Sequence, residues 1–343
     1  MMLTSAWTRV ALCGAVGMTV AVLASPAAGA STTAINRADK GLVDVNVNLP
    51  YEEATGSGTG MVLTSSGEIV TNNHVIEGST TVSVVDVGNH RTYQATVVGY
   101  DVSADIAVLQ LSGASGLRGA PIGTSTGVKT GESASAIGNA GGTGGTPTVS
   151  SGKVTATSQS ITASDELGGS ENLTGLLETN AALQPGDSGG SLVSTAGKVI
   201  GMDTAGSSGF SFGSSNTSGY AIPINKVLRI ARDIEAGEAS TEVHIGDTPF
   251  LGVSVEARPY DDDGTFGTGL EVTQVIPGSG AAQTGIAVRD VITSFDGTSI
   301  TATTDLTALI LAQPVGATVP TSWVDAAGNT QSGFVVLGSG PPQ

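Results

Sequence analysis

Apolar and polar positions alternate through much of the chain. Thr81-Val82-Ser83-Val84-Val85-Asp86-Val87 and Thr92-Tyr93-Gln94-Ala95-Thr96-Val97-Val98 carry the two-residue period of half-buried strands, and Gly88-Asn89 between them predicts a hairpin turn. Gly56 to Leu63 reads as an earlier strand, followed by a turn at Ser65-Ser66-Gly67 and a short strand from Glu68 to Thr71. Another opens at Asp105 and runs through Ile106-Ala107-Val108-Leu109. Helical spacing is clearest after Ile224, where Val227, Leu228, Ala231 and Ile234 share a face, Asn225 is placed to cap and Gly237 to stop. A second helix is predicted from Thr304 to Ala312, ended by Pro314.

Composition supports a mainly β chain. Glycine accounts for 50 of 343 residues, which together with many Val, Ile and Thr favours strands joined by tight turns. The length suggests two domains plus appendages. With 13 Lys and Arg against 30 Asp and Glu the net charge is −17, which argues against a nucleic-acid surface. Residues 1–30 read as a secretory signal: Arg9 supplies the positive end, Val10 to Leu23 the apolar core, and Ala28-Gly29-Ala30 a cleavage site. An uncleaved membrane anchor is the alternative, disfavoured by the short apolar run. Cleavage would remove Cys13, the single cysteine, leaving a mature chain without disulfides. No metal or nucleotide cofactor is expected, because no Cys/His cluster and no phosphate loop occurs. Residues 31–50 have no strong period and read as an extended lead-in.

The candidate chemistry lies in Gln184-Pro185-Gly186-Asp187-Ser188-Gly189-Gly190-Ser191. Glycines beside a serine allow a tight turn and let a carbonyl substrate approach without meeting a Cβ. They also let the Gly186 and Ser188 N–H groups point at one spot, as an oxyanion hole requires. The same residue types suit a solvated turn, so the motif needs partners. A serine needs a base, and there are three histidines. His90 reads as a turn residue and His244 as part of a polar linker, whereas His74 ends the apolar strand Ile69-Val70-Thr71. Asp105, an acid directly before an apolar strand, is costly to bury without a partner and suits the orienting carboxylate.

Thr71-Asn72-Asn73-His74-Val75, Ala104 to Leu109 and Asn180 to Gly190 resemble the three catalytic segments of HtrA/Deg-type serine proteases. The resemblance extends over nearly everything after residue 48. It implies a chymotrypsin-like double β-barrel followed by a PDZ domain, with His74, Asp105 and Ser188 as triad, Gly186 and Ser188 as oxyanion hole, and Thr204 bonding the triad carboxylate. The expected division is 51–237 protease, 238–248 acidic linker and 249–339 PDZ. Phe250, Leu251, Gly252 and Val253 resemble the PDZ loop that takes a peptide carboxyl terminus. Implied partners are unfolded polypeptides outside the cytoplasm and peptide C-termini. A homotrimer is also implied, although Tyr51 is the one obvious aromatic at the start of the mature chain.

The pocket beside Ser188 is expected, by the same resemblance, to be walled by Ala182 to Gln184, Met202 to Ala205 and Ser218 to Ile222. These small and apolar residues favour an aliphatic P1 side chain. Asp203 stands where the family commonly has an amide; facing the pocket it would attract a basic P1 residue, while facing elsewhere it would be held by backbone donors. The glycine-rich stretch Ala140 to Thr146 is expected to be a mobile loop beside the site. The rival reading from another class is a binding module, either an inactive barrel displaying a PDZ domain or a holdase for exposed apolar segments.

Overall fold

The period-two stretches close into two barrels. The computed structural model describes residues 35, 38–51, 53–164, 170–204, 218–257 and 269–343, so the expected signal segment lies outside the described residues. The first barrel comprises β1 (Leu42–Leu49), β2 (Ala54–Val62), β3 (Glu68–Thr71), β4 (Thr81–Asp86), β5 (Thr92–Asp101) and β6 (Ile106–Leu111). Its antiparallel order β5-β4-β1-β2-β3-β6 is closed by pairing of β5 with β6. Closure removes the exposed edges that a free sheet would present. The second barrel comprises β7 (Ser133–Gly138), β8 (Thr148–Ser164), β9 (Ser170–Thr179), β10 (Ser191–Ser194), β11 (Val199–Thr204) and β12 (Gly219–Pro223), closed in the order β10-β11-β12-β9-β8-β7.

Three sequence expectations need correction. The lead-in from 31 to 50 is not simply extended chain: Leu42–Leu49 forms β1 at the centre of the first barrel, paired with β2 and β4. The two-residue period is present there, Val43, Val45 and Val47 alternating with Asp44, Asn46 and Asn48, and the three valines are buried in the core of the first barrel. Asn225 does not cap the helix. The helix begins at Ile224 after Pro223, and the Asn225 side-chain Oδ1 instead accepts from Ser125 N and Thr124 Oγ1. The expected linker 238–248 contains β13 (Val243–Ile245), which adds to β5. There His244 lies against the Tyr100 ring at a centroid distance of 5.1 Å.

A one-turn helix, α1 (Asn73–Ile76), follows β3, and α2 (Ile224–Glu235) follows β12. Val227, Ile230, Ala231 and Ile234 of α2 are buried in one apolar cluster with Met61, Val70, Ile106 and Val108 of the first barrel and Ile137, Val193, Met202 and Ile222 of the second. The helix therefore joins the two barrels by packing, because one amphipathic face contributes to both.

The third body contains β15 (Val253–Ala257), β16 (Leu270–Val275), β17 (Val291–Phe295), β19 (Thr318–Val324) and β20 (Thr330–Val336) in that order, with β18 (Thr298–Ser299) beside β17. Helices α3 (Gly280–Thr284) and α4 (Thr303–Leu311) complete it around a separate core that includes Leu251, Leu270, Phe295, Leu306, Trp323 and Val335. A small sheet of β14 (Thr248–Phe250) and β21 (Gly338–Gly340) lies at the join with the barrels.

Ile230 is 1% exposed at the contact of α2 with both barrels. Ile230→Ala is expected to cost about 2–5 kcal/mol by leaving a cavity. Urea unfolding followed by tryptophan-independent far-UV signal should show the barrels shifting together. Separate transitions for the barrels would contradict the role given to the helix.

Candidate active site

Asp105 ends a tight turn whose N–H donates to Val102 O, and its φ of 55° lies in the left-handed region that Asp tolerates better than bulkier residues. This turn aims a carboxylate that is 1% exposed at α1. The His74 backbone N donates to Asp105 Oδ1 at 3.1 Å, and His74 Nδ1 lies 3.0 Å from each carboxylate oxygen. Asn72 Nδ2 donates to the Asp105 carbonyl, fixing the turn against the start of α1. From the second barrel, Thr204 Oγ1 donates to Asp105 Oδ2 at 3.0 Å. Burial of the acid is thus offset by three protein donors, one from the opposite barrel.

Ser188 lies on the loop between β9 and β10, 5% exposed. Its carbonyl accepts Thr59 N at 2.8 Å, and the position a Gly58 Cβ would take is 2.7 Å from Val75 and 3.3 Å from Ser188 O. The serine backbone therefore packs directly against the strand and helix that flank His74. The N–H groups of Asp187, Gly189 and Gly190 donate to Gln184 O, Asp203 O and Asp187 O. Among the described residues those of Gly186 and Ser188 have no such backbone acceptor. The Pro185 carbonyl accepts Gly141 N at 2.7 Å, so across a trans peptide the Gly186 N–H points the other way. Two glycines make this turn possible. Gly186 has φ +97° and a Cβ there would collide with Asn139 O; Gly189 has φ +83° and a Cβ would collide with Thr59 O and Thr71 Oγ1.

Thr59 is the residue that sequence reading missed. Its hydroxyl donates to Gly186 O at 2.7 Å and accepts from Asn139 N at 2.9 Å, while its carbonyl accepts Thr71 Oγ1 at 2.6 Å. One side chain of the first barrel thereby holds both the Ser188 loop and the end of β7 in the second. The sole signal was the flanking Gly58 and Gly60, which leave room for the approach. The loop 140–146 is tethered: Gly141 N, Gly144 N and Gly145 N donate to Pro185 O, Asn139 Oδ1 and Asp44 Oδ2. His90 lies in the turn expected of it, with φ 59°, and takes no part in the site.

Asp203 is fully buried and does not line an open pocket. It pairs with Ala221 and shares a strand face with Gly201, so its side chain enters the interior of the second barrel with Ala136, Leu177 and Ala221. Neither carboxyl oxygen has a well-aligned hydrogen-bond partner among the described residues, although the Ile137 backbone N–H acts weakly on it. Burial pushes this carboxyl well above the usual value of 3.8, the nearby Asp187 carboxyl adds to the rise, and the Ile137 backbone N–H opposes it. Asp187, also raised mainly by burial, accepts Gln184 N at 2.9 Å. Of the expected pocket walls, Ala205 lies outside the described residues.

In the third body, Phe250 turns toward the first barrel and stacks on Tyr51, with ring centroids 5.7 Å apart. Leu251 is in the core, its carbonyl accepting Ala281 N, while the Gly252 carbonyl accepts Ile276 N at 2.9 Å. With both carbonyls turned inward, the N–H groups of Gly252 and Val253 face the opposite side of the loop. The outer side of β15 is the edge of its sheet, and α4 packs beside β14 and β15.

The buried Asp203 gives a pH prediction. A group protonated in the folded chain and ionised in the unfolded one contributes stability at low pH that is lost as pH rises above about 4. Asp203→Asn removes that loss, so the stability of the variant relative to the parent should grow between pH 4 and pH 8. Urea midpoints at several pH values measure this. Other raised acids, such as Asp101, act equally in both chains and cancel; parallel curves would refute the assignment.

Comparisons with known proteins agree with this geometry. A trypsin-like peptidase domain model matches residues 58–202, and a PDZ domain model matches residues 249–321. The serine protease PepD of Mycobacterium tuberculosis is 33% identical over 298 residues, 82% of this chain and 60% of that protein. The serine protease Do-like HtrA of Lactococcus lactis is 31% identical over 288 residues, 81% of this chain and 70% of that protein. The periplasmic serine endoprotease DegP of Escherichia coli is 34% identical over 267 residues, 77% of this chain and 52% of that protein. The chain thus spans about 60% of PepD and about half of DegP. Among solved structures, the HtrA-type protease AlgW with tripeptide superposes with a TM-score of 0.52 at 28% identity, over 90% of this chain and 97% of that one. With a trypsin-like double barrel, a PDZ domain after it and these relatives, the chain belongs to the HtrA-type serine protease family.

Proposed function

We propose that this chain is a serine endopeptidase acting through His74, Asp105 and Ser188. The observation that carries the reading is the chain of bonds from Thr204 through buried Asp105 to His74 Nδ1, set beside a serine loop whose Gly186 N–H is turned away from the Pro185 carbonyl. With Nδ1 held by the carboxylate, His74 Nε2 is the ring nitrogen left to serve Ser188 Oγ. Ser188 Oγ attacks the peptide carbonyl carbon while His74 Nε2 takes the hydroxyl proton. The Gly186 and Ser188 N–H groups stabilise the oxyanion. His74 then gives the proton to the leaving amine as the C–N bond breaks, and water hydrolyses the acyl-enzyme by the same route, releasing Ser188.

The division of the chain follows from the same reading. The protease domain extends to about residue 237 and the PDZ domain covers 249–339, with the protease beginning at β1 rather than at 51. Gly252 and Val253 N–H groups receive a peptide carboxylate, and the peptide adds as a strand to β15 opposite α4. Substrates are unfolded or damaged proteins outside the cytoplasm, a reading supported by the signal-like residues 1–30 and by relatives that include a periplasmic enzyme. With Asp203 buried, the small and apolar residues expected beside Ser188, among them Ala182, Leu183 and Met202, support an aliphatic P1 preference.

Cleavage of casein by the chain from Ser31 onward, with and without a peptide ending in apolar residues, tests this. Ser188→Ala should lower kcat by roughly 10⁴-fold or more, and the peptide should raise the rate of the parent. Suppression of client aggregation retained by Ser188→Ala, with no cleavage by the parent, would turn the reading to a holdase.

A further inference from the structure

The helix that carries His74 is only four residues long. A single turn does not hold itself, because its nucleation cost exceeds what one or two intrahelical bonds return. Val75 and Ile76 seat it in the core of the first barrel, and anchors at its ends fix how the turn that carries His74 sits there. Asp105 and Asn72 supply the anchor at the start. The other comes from the far end of the chain. Gly78 N, just past the helix, donates to Pro342 O at 3.0 Å, and Asn73 Nδ2, the residue before His74, donates to Gln343 O at 2.9 Å. Asn73 is 1% exposed, so this bond is made out of solvent. Gln343 N in turn donates to the Tyr100 hydroxyl at 3.4 Å, which also bonds Thr248 Oγ1 at 3.1 Å.

The segment is held at its other end by the PDZ body. β21 pairs with β14, Thr248 opposite Gly340 and Phe250 opposite Gly338. Gly340 has no Cβ because one would collide with the Phe250 ring, the ring that stacks on Tyr51. Pro341 and Pro342 are buried and fix φ, so a shift at β14 is passed on by a stiff strap and not absorbed by a loose one.

We propose that residues 338–343 form a positioning strap that runs from the peptide-binding loop of the PDZ domain and sets the placement of His74 through Asn73 and Gly78. This rests on His74 being the catalytic base. The strap touches no substrate; Pro342 and Gln343 act through α1, and Phe250, next to Leu251, Gly252 and Val253, links the strap to the loop that would receive a peptide.

Two variants test it: the chain shortened to end at Pro341, and Asn73→Ala in the full chain. Each should lower kcat about tenfold with KM within about twofold, as expected for a slightly misplaced base. Each should also shift the acid limb of the kcat profile, and the His74 ring titration followed by NMR should fall as its fit to Asp105 loosens. The two changes combined should cost little more than either alone. An unchanged kcat and an unchanged His74 titration in both variants would overturn the proposal. Should the shortened chain not fold, Asn73→Ala decides alone. If the full chain cleaves nothing, the protease reading fails, and the His74 titration still decides the strap: a shift in the variants supports it and no shift rejects it.

Discussion

A carboxylate that is 1% exposed cannot be left without donors, and in this protein satisfying it brings the working parts of the molecule together. Asp105 belongs to the first barrel, yet one of its oxygens is completed by Thr204 of the second. The same carboxylate receives the backbone and ring of His74. Removing one partner of such a buried arrangement costs about 3–5 kcal/mol, because the acid would remain unpaired. The orientation of the histidine therefore depends on this buried carboxyl group, which also adds a polar tie between the barrels to the apolar packing of α2.

The nucleophile loop follows a parallel logic with backbone groups. Ser188 is not held by side-chain packing but by a fixed set of carbonyls: Thr59 N takes Ser188 O, Thr59 Oγ1 takes Gly186 O, and Gly141 N takes Pro185 O. Once those carbonyls are committed, planar trans peptides decide where the N–H groups aim. Glycine at 186 and 189 is the condition for so close an approach, since any Cβ there meets backbone oxygen.

The two barrels share one apolar cluster through α2, whereas the PDZ body has its own core and meets the first barrel through a smaller set of contacts: Leu311 on the barrel core, Tyr51 with Phe250, Tyr100 with Thr248, and Pro342 and Gln343 with α1. A shared packed core resists displacement, while so small a seam yields at lower cost. That difference keeps His74, Asp105 and the Ser188 loop fixed relative to one another and leaves the PDZ body as the part freer to adjust.

The sequence by itself determined the family and the mainly β architecture, and it singled out Asn73-His74, Ala104-Asp105 and Gly186-Asp187-Ser188-Gly189 as candidates because these are contiguous motifs whose chemistry is local. It marked β1 by the alternation of Val43, Val45 and Val47 with Asp44, Asn46 and Asn48, a signal that was passed over, and it missed Thr59, whose importance comes from bonds to residues 80 and 127 positions away. It also left Asp203 open between two orientations. Tertiary structure decided that one, because the pleat of β11 and its register with Ala221 send the side chain into the barrel. The contact of Pro342 and Gln343 with the His74 helix was likewise set only by folding, as no local pattern links residues about 270 positions apart.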